Sequence, residues 1–300
     1  MTARAEMGDP TVSVIVPHFS DLTRLDACLE ALARQTFPPD DFEIIVSDNN
    51  SPQGEAAVRR AVACRARVTV TMARGAGPAR NGGARLARGR LLAFTDCDCI
   101  PEPEWLQEGV AALADHDFVG GRMKVLVENP DRLTAVEAFE RAYAFDNEDY
   151  VRRKAFTVTA NLFCPREVFD RVGGFEVGVS EDVDWCHRAQ AAGYKIGYAP
   201  RAVVGHPARR TWRELIVKWR RMNAEQFGLY RRRRFGRLIW FARACLLPTS
   251  PLIHGGRALR SESLRSVRQR LDALIVLFGI RAWRSADSLR LLAASWDAKP

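Results

Sequence analysis

The feature that most constrains this chain is the alternation of two periodicities over residues 12–95. β-rich apolar runs at Val12–Val16, Phe42–Val46, Val68–Met72 and Leu91–Thr95 are separated by segments of helical spacing, Leu22–Gln35, Ala56–Ala63 and Pro78–Ala87. Strands that alternate with helices predict an α/β fold, with a mainly parallel sheet covered on both faces. Leu22, Leu25, Cys28, Leu29 and Leu32 trace one helical face, and Asp21 is placed to cap it. Pro78 falls in the first turn of its helix, where the missing N–H is no loss. In open sheets of this kind ligands bind beyond the carboxyl ends of the strands. Pro17, Asp48 and Asp96 stand at three such ends.

The pattern then loosens. Helices are expected at Trp105–Ala114, Leu133–Tyr150, Pro165–Val172 and Val183–Ala192, and strands at Phe118–Val127 and Thr157–Phe163. Two short extended pieces, Tyr194–Tyr198 and Ala202–Val204, lead to His206. No Gly/Pro-rich linker divides this stretch. The expected organisation is a disordered leader over 1–10, one catalytic domain over 11–206, and a basic, amphipathic helical region over 207–300.

Charge supports that division. Residues 207–300 hold 21 Lys/Arg against 6 Asp/Glu, while residues 1–206 hold 24 against 30. An acidic body with a basic end suggests contact with an anionic partner. The seven cysteines are scattered and lack zinc spacing, so they are read as reduced residues of a cytoplasmic protein. No signal peptide is expected. No apolar stretch approaches the roughly 20 residues of a spanning helix.

Four constellations can carry chemistry. Asp96-Cys97-Asp98 follows a buried-looking strand, and two carboxylates one residue apart can offer hard oxygen ligands to Mg²⁺ or Mn²⁺. A solvated turn is the plainer reading of the same residues. Glu181-Asp182 opens a helix, where acids complement the positive helix end; alternatively one serves as general base toward a hydroxyl. His206 is either structural or a further metal ligand. Arg80 and Asn81 follow a Gly-rich loop, as solvent-facing residues or as a cation near a phosphate.

The order of these features resembles the family 2 glycosyltransferases, of GT-A fold. The similarity is carried by Ser13-Val-Ile-Val-Pro-His-Phe19, Gln35-Thr-Phe-Pro38, Phe42-Glu-Ile-Ile-Val-Ser-Asp48-Asn-Asn-Ser51, Gly77-Pro-Ala-Arg80-Asn81-Gly-Gly-Ala84 and Phe94-Thr-Asp96-Cys-Asp98. Asn161, Phe169-Asp-Arg-Val-Gly-Gly-Phe175, Glu181-Asp-Val-Asp-Trp185 and His206 complete it. The resemblance covers about residues 11–206.

It implies an inverting transferase that moves a sugar from a nucleoside-diphosphate sugar, with UDP the first expectation, to a hydroxyl acceptor. By resemblance, Asp48 contacts the base, and Pro17 and Phe19 line its pocket. Arg80 lies near base or phosphates, and Asp96 meets the ribose or a metal-bound water. Asp98 ligates a metal that bridges the diphosphate, and His206 resembles a metal-binding histidine of part of the family. Asp182 matches the catalytic base, with Glu181 beside it. Two departures stand out: Phe19-Ser20 where the family often has Tyr-Asn, and Asp48-Asn49-Asn50-Ser51 where it often has Asp-Asp-Gly-Ser.

The basic region mixes Arg with aliphatic and Trp residues, as peripheral membrane helices do. A lipid-linked saccharide acceptor at the inner face of the plasma membrane, in cell-envelope or exopolysaccharide synthesis, would suit it. A helical cap with a solvated Arg face is the other reading. No nucleic-acid reader motif is present, so no nucleic-acid partner is expected. Two other functions remain open: a sugar nucleotidyltransferase, and a catalytically silent binding protein. The first commonly needs a Gly-rich triphosphate loop, and residues 17–21 do not supply one.

Overall fold

A computed structural model describes residues 9–297. The first eight residues of the expected leader lie outside the described residues. The chain divides into two compact units. The first holds residues up to Lys124, Asn147–Val177 and Asp182–His206; the second holds Val125–Asp146, Gly178–Glu181 and the chain from Pro207 onward.

In chain order the elements are β1 (Val12–His18), α1 (Leu22–Ala33), β2 (Phe42–Asp48), α2 (Glu55–Val62), β3 (Arg67–Val70), α3 (Ala76–Leu86) and β4 (Leu91–Phe94). Next come β5 (Ile100–Pro101), α4 (Trp105–Ala112), β6 (Phe118–Leu126), α5 (Ala135–Tyr143), α6 (Asn147–Lys154), β7 (Leu162–Pro165), α7 (Arg166–Val172), α8 (Glu181–Ala191) and β8 (Ile196–Pro207). Four helices close the chain: α9 (Trp212–Arg231), α10 (Gly236–Leu246), α11 (Ser250–Leu259) and α12 (Val267–Asp297).

The strands form one eight-stranded sheet in the order β3-β2-β1-β4-β7-β6-β8-β5. The expected alternation holds over its first half: β1 pairs in parallel with β2 and β4, and β2 with β3. β1 is buried along its whole length, which explains its unbroken apolar run. Beyond β4 the pairing turns antiparallel, through β4–β7, β7–β6 and β8–β5. A core of Ile15, Phe94, Phe118, Phe169, Phe175 and Trp185 fills the first unit, with its rings mostly tilted or edge to face.

α3 lies close against the sheet, and two glycines permit it. A Cβ on Gly83 would meet Ile15 Cγ2 at 2.6 Å, and one on Gly82 would strike the Thr71 hydroxyl. This close approach sets the position of Arg80, two residues earlier on the same helix.

Several boundaries differ from the sequence expectation. The helix expected over Leu133–Tyr150 is two, α5 and α6, and between them Phe145 adopts φ 54°. The two extended pieces before His206 are one strand, β8. The run expected over Thr157–Phe163 begins with a 3-10 turn, and the strand starts at Leu162. α5 also packs differently from a contiguous division at residue 206. Val136, Ala138 and Phe139 share a core with Leu215, Leu264, Val276 and Ile280 of the C-terminal helices. That core and a smaller one of Phe227, Trp240 and Leu292 hold the second unit together.

Candidate active site

The expected residues of the first unit cluster at the carboxyl ends of neighbouring strands. β1 ends at His18 and β2 at Asp48, and the two are register partners. His18 Nδ1 donates to Asp48 Oδ1 at 2.7 Å, and the Ser51 hydroxyl donates to the same oxygen at 2.5 Å. The Ser51 backbone N–H donates to Oδ2 at 2.9 Å. His18 and Asp48 are each only 1% exposed, so this carboxylate is oriented from inside the protein. Three donors leave it one of its roughly four lone-pair directions for a ligand. Pro17 is buried in β1, whereas Phe19, just past the strand, turns its ring to solvent.

The second group follows β4. Thr95 extends the ladder by donating to Ile15 O, and a tight turn closes with Cys99 N–H on Asp96 O at 3.0 Å. The turn brings carboxylate oxygens of Asp96 and Asp98 and the Cys99 sulfur within 4.8 Å of one another. Register supplies the next member. Ile100 pairs with Gly205, which sets His206 beside the turn, and its Nε2 lies 3.6 Å from Asp98 Oδ2. On the other side, Arg80 Nη2 donates to Asp96 Oδ1 at 2.5 Å.

The electrostatics agree with a cation-seeking site. Burial pushes up the thiols of Cys28, Cys97 and Cys99, and the negative field of Asp96 and Asp98 adds to it; Cys97 reaches about 12. Cys99 is therefore a thiol near neutral pH, and the hard-ligand chemistry falls to the carboxylates and the imidazole. Arg24, on α1, places Nη1 4.0 Å from Asp98 Oδ2.

Asp182 lies in the first turn of α8. Its carboxylate accepts from Val183 N–H at 2.9 Å and is partly exposed. The helix is fixed by Trp185, whose Nε1 donates to Gly173 O, and by Arg188, which joins Asp184 to the carbonyls of Val172 and Gly174. Glu181 is partly exposed and groups with the second unit.

Two participants, His18 and Arg24, were not singled out by sequence reasoning. His18 lay inside the quoted first-strand run, but nothing in spacing marks its partner. Arg24 reads as an ordinary charged helix residue. Asn81 proves to be a clamp: its side-chain amide both donates to Phe175 O and accepts from Phe175 N–H, at 2.9 and 2.8 Å. The Phe175 ring in turn lies 6.0 Å from the Arg80 guanidinium carbon.

Comparison with known proteins decides the family. The model of "Glycosyl transferase family 2" matches residues 13–177, more than half of the chain.

The chain belongs to glycosyl transferase family 2.

Among relatives, glycosyltransferase AglE of Haloferax volcanii is 29% identical over 289 residues, covering 91% of this chain and 92% of AglE. Validoxylamine A glucosyltransferase of Streptomyces hygroscopicus subsp. limoneus is 40% identical over 109 residues, but the match spans only 24% of that enzyme. Of solved structures, mannosyltransferase PcManGT from Pyrobaculum calidifontis, in complex with GDP-Man and Mn²⁺, aligns with a TM-score of 0.54 at 22% identity. It covers 98% of this chain and 77% of that one, and at this identity it speaks for the fold. The α/β glycosyltransferase fold expected from the sequence is thus the observed one. Family membership also selects sugar transfer over the nucleotidyltransferase reading.

Proposed function

We propose that this glycosyltransferase moves a sugar from a nucleoside-diphosphate sugar, UDP first among the candidates, to a hydroxyl acceptor with inversion. The observation that carries the reading is the facing of Asp98 and His206 at 3.6 Å, beside the Arg80–Asp96 pair, at the carboxyl ends of the parallel strands. The GDP-Man and Mn²⁺ bound to PcManGT lend support to a nucleotide sugar and a divalent ion.

The residues fit Mn²⁺ or Mg²⁺. Two adjacent ligands of an octahedral ion at about 2.1 Å lie about 3 Å apart, and the Asp98–His206 spacing is near this. Asp98 and His206 would hold the ion, with Asp96 as a further oxygen donor. When bound, the ion supplies Lewis-acid neutralisation of the departing diphosphate. Arg80, anchored by burial, adds positive charge on the same side. Asp48 takes the base, with Pro17 and Phe19 along its pocket. Asp182 accepts the acceptor's proton, and Glu181 helps to place acceptor or donor. One base without a second, nucleophilic carboxylate gives a single displacement.

The acceptor is proposed to be a saccharide, lipid-linked in cell-envelope or exopolysaccharide synthesis. Support comes from the second unit, which exposes Leu238, Phe241, Leu246, Leu252, Ile253 and Ile275 on Arg-rich helices. Such helices suit peripheral contact with an anionic leaflet, in keeping with a cytoplasmic enzyme at the inner face of the plasma membrane. Among the described residues no helix is long and apolar enough to cross a membrane.

The direct test is Asp182→Asn. Transfer should be lost while nucleotide binding persists, and the wild-type product should carry the inverted anomeric configuration by NMR. Retained transfer removes Asp182 as the base.

A further inference from the structure

The second unit buries positive charge without matching negative charge. Arg243 of α10 and Arg284 of α12 both reach the side-chain oxygen of Gln226 on α9, from Nη2 at 3.0 and 3.5 Å. Two guanidinium groups thus share one neutral acceptor. Arg281 lies three residues before Arg284, on the same helical face. Arg284 is 3% exposed, with its guanidinium carbon 3.8 Å from the centre of the Trp219 ring, and its Nε donates to Asn223 Oδ1. Nη1 of Arg243 is buried and has no hydrogen-bond partner.

The acid nearest in these contacts, Asp287, is engaged by Asn223 and Arg290. Among the described residues no carboxylate pairs with Arg243, Arg281 or Arg284. Burial lowers all three guanidinium pKa values, and for Arg284 the charges of Arg243 and Arg281 lower it further. An arginine cannot escape by losing its proton. Burying one without a carboxylate is costly, and the two further half-buried guanidinium charges beside Arg284 add to that cost. Arg243 and Arg281 remain partly exposed, so an anion can reach them from solvent.

We propose that Arg243, Arg281 and Arg284 form a binding site for a phosphate or diphosphate group, separate from the donor site and independent of how that site works. Planar guanidinium forks match phosphate oxygens in geometry as well as charge. A free phosphate and the headgroup of a phospholipid share that chemistry.

The test uses the full chain in EDTA, with two probes: inorganic pyrophosphate, and phosphatidylcholine vesicles with or without phosphatidate. Arg243→Gln and Arg281→Gln are compared with Arg260→Gln, an exposed arginine that carries the same charge change. Arg281→Lys, which keeps the charge and loses the fork, serves if the glutamine variants misfold by circular dichroism. Each triad substitution should weaken binding about ten-fold or more, while Arg260→Gln stays close to wild type. Loss confined to phosphatidate vesicles identifies the lipid headgroup as the source, and loss for both probes identifies phosphate in general. The proposal is overturned if wild type binds neither probe, or if the triad and Arg260 variants behave alike.

Discussion

Arg80 donates to Asp96 across 2.5 Å, and the two side chains differ sharply in setting: 4% exposed for the arginine, 31% for the aspartate. The fixed partner is the cation, held on a glycine-permitted helix and against Phe175, so the core sets the direction of the strand-end carboxylate. Arg80→Lys keeps the charge but not the planar fork. It should lower kcat/KM about ten-fold or more with an unchanged circular dichroism spectrum. A rate near wild type would show that Asp96 needs no such positioning.

His18 supports Asp48 in the same manner from within. His18→Ala removes a charge-assisted bond and leaves a buried carboxylate with two donors. Urea unfolding should show a loss of about 2–3 kcal/mol, and nucleotide affinity should fall in parallel. A stability within about 0.5 kcal/mol of wild type would mean that the pair is incidental.

Gly83 marks where α3 meets β1. Gly83→Ala places a methyl at 2.6 Å from Ile15 Cγ2, and it should destabilise by about 1–3 kcal/mol through overpacking. Ile15→Ala removes that Cγ2, so in a double-mutant cycle the two substitutions together should cost less than the sum of their separate costs.

Glu140 predicts an acid limit for the second unit. Burial opposes its ionisation, but Lys218 at 2.8 Å and Arg209 outweigh burial and hold its pKa below 4.5. A depressed folded-state pKa contributes stability above the unfolded value, and that contribution is lost as pH falls through the folded value. Glu140→Gln should therefore cost about 3 kcal/mol at pH 7, and the gap to wild type should narrow below about pH 4. A gap that stays constant from pH 7 to pH 3 would contradict this.

Much of the first unit was legible because local and global preferences coincide there. β1, β2 and β4 are buried on both faces, so their apolar runs read as strands, and Asp48 and Asp96 appear where those runs stop. The second unit was less legible because tertiary partners decide it. α5 looks like part of the catalytic domain until Val136 and Phe139 find Leu215 and Val276. The break at Phe145 has no proline or glycine to announce it. At the site, Asp96, Asp98 and His206 were expected, and β5–β8 register explains how residues so far apart in sequence meet. His18 and Arg24 were invisible, since the partner of a strand residue follows from register and that of a helix residue from tertiary packing.

The most direct test of the account is thermal unfolding with UDP, GDP or dTDP, each with Mn²⁺ or EDTA, in wild type and Asp98→Asn. Selective binding to the folded state raises Tm with ligand saturation. The account predicts that one nucleotide raises Tm in wild type only when Mn²⁺ is present, and that Asp98→Asn abolishes the rise. A rise that persists in EDTA, or that survives loss of Asp98, would contradict a nucleotide site built around Asp96, Asp98 and His206.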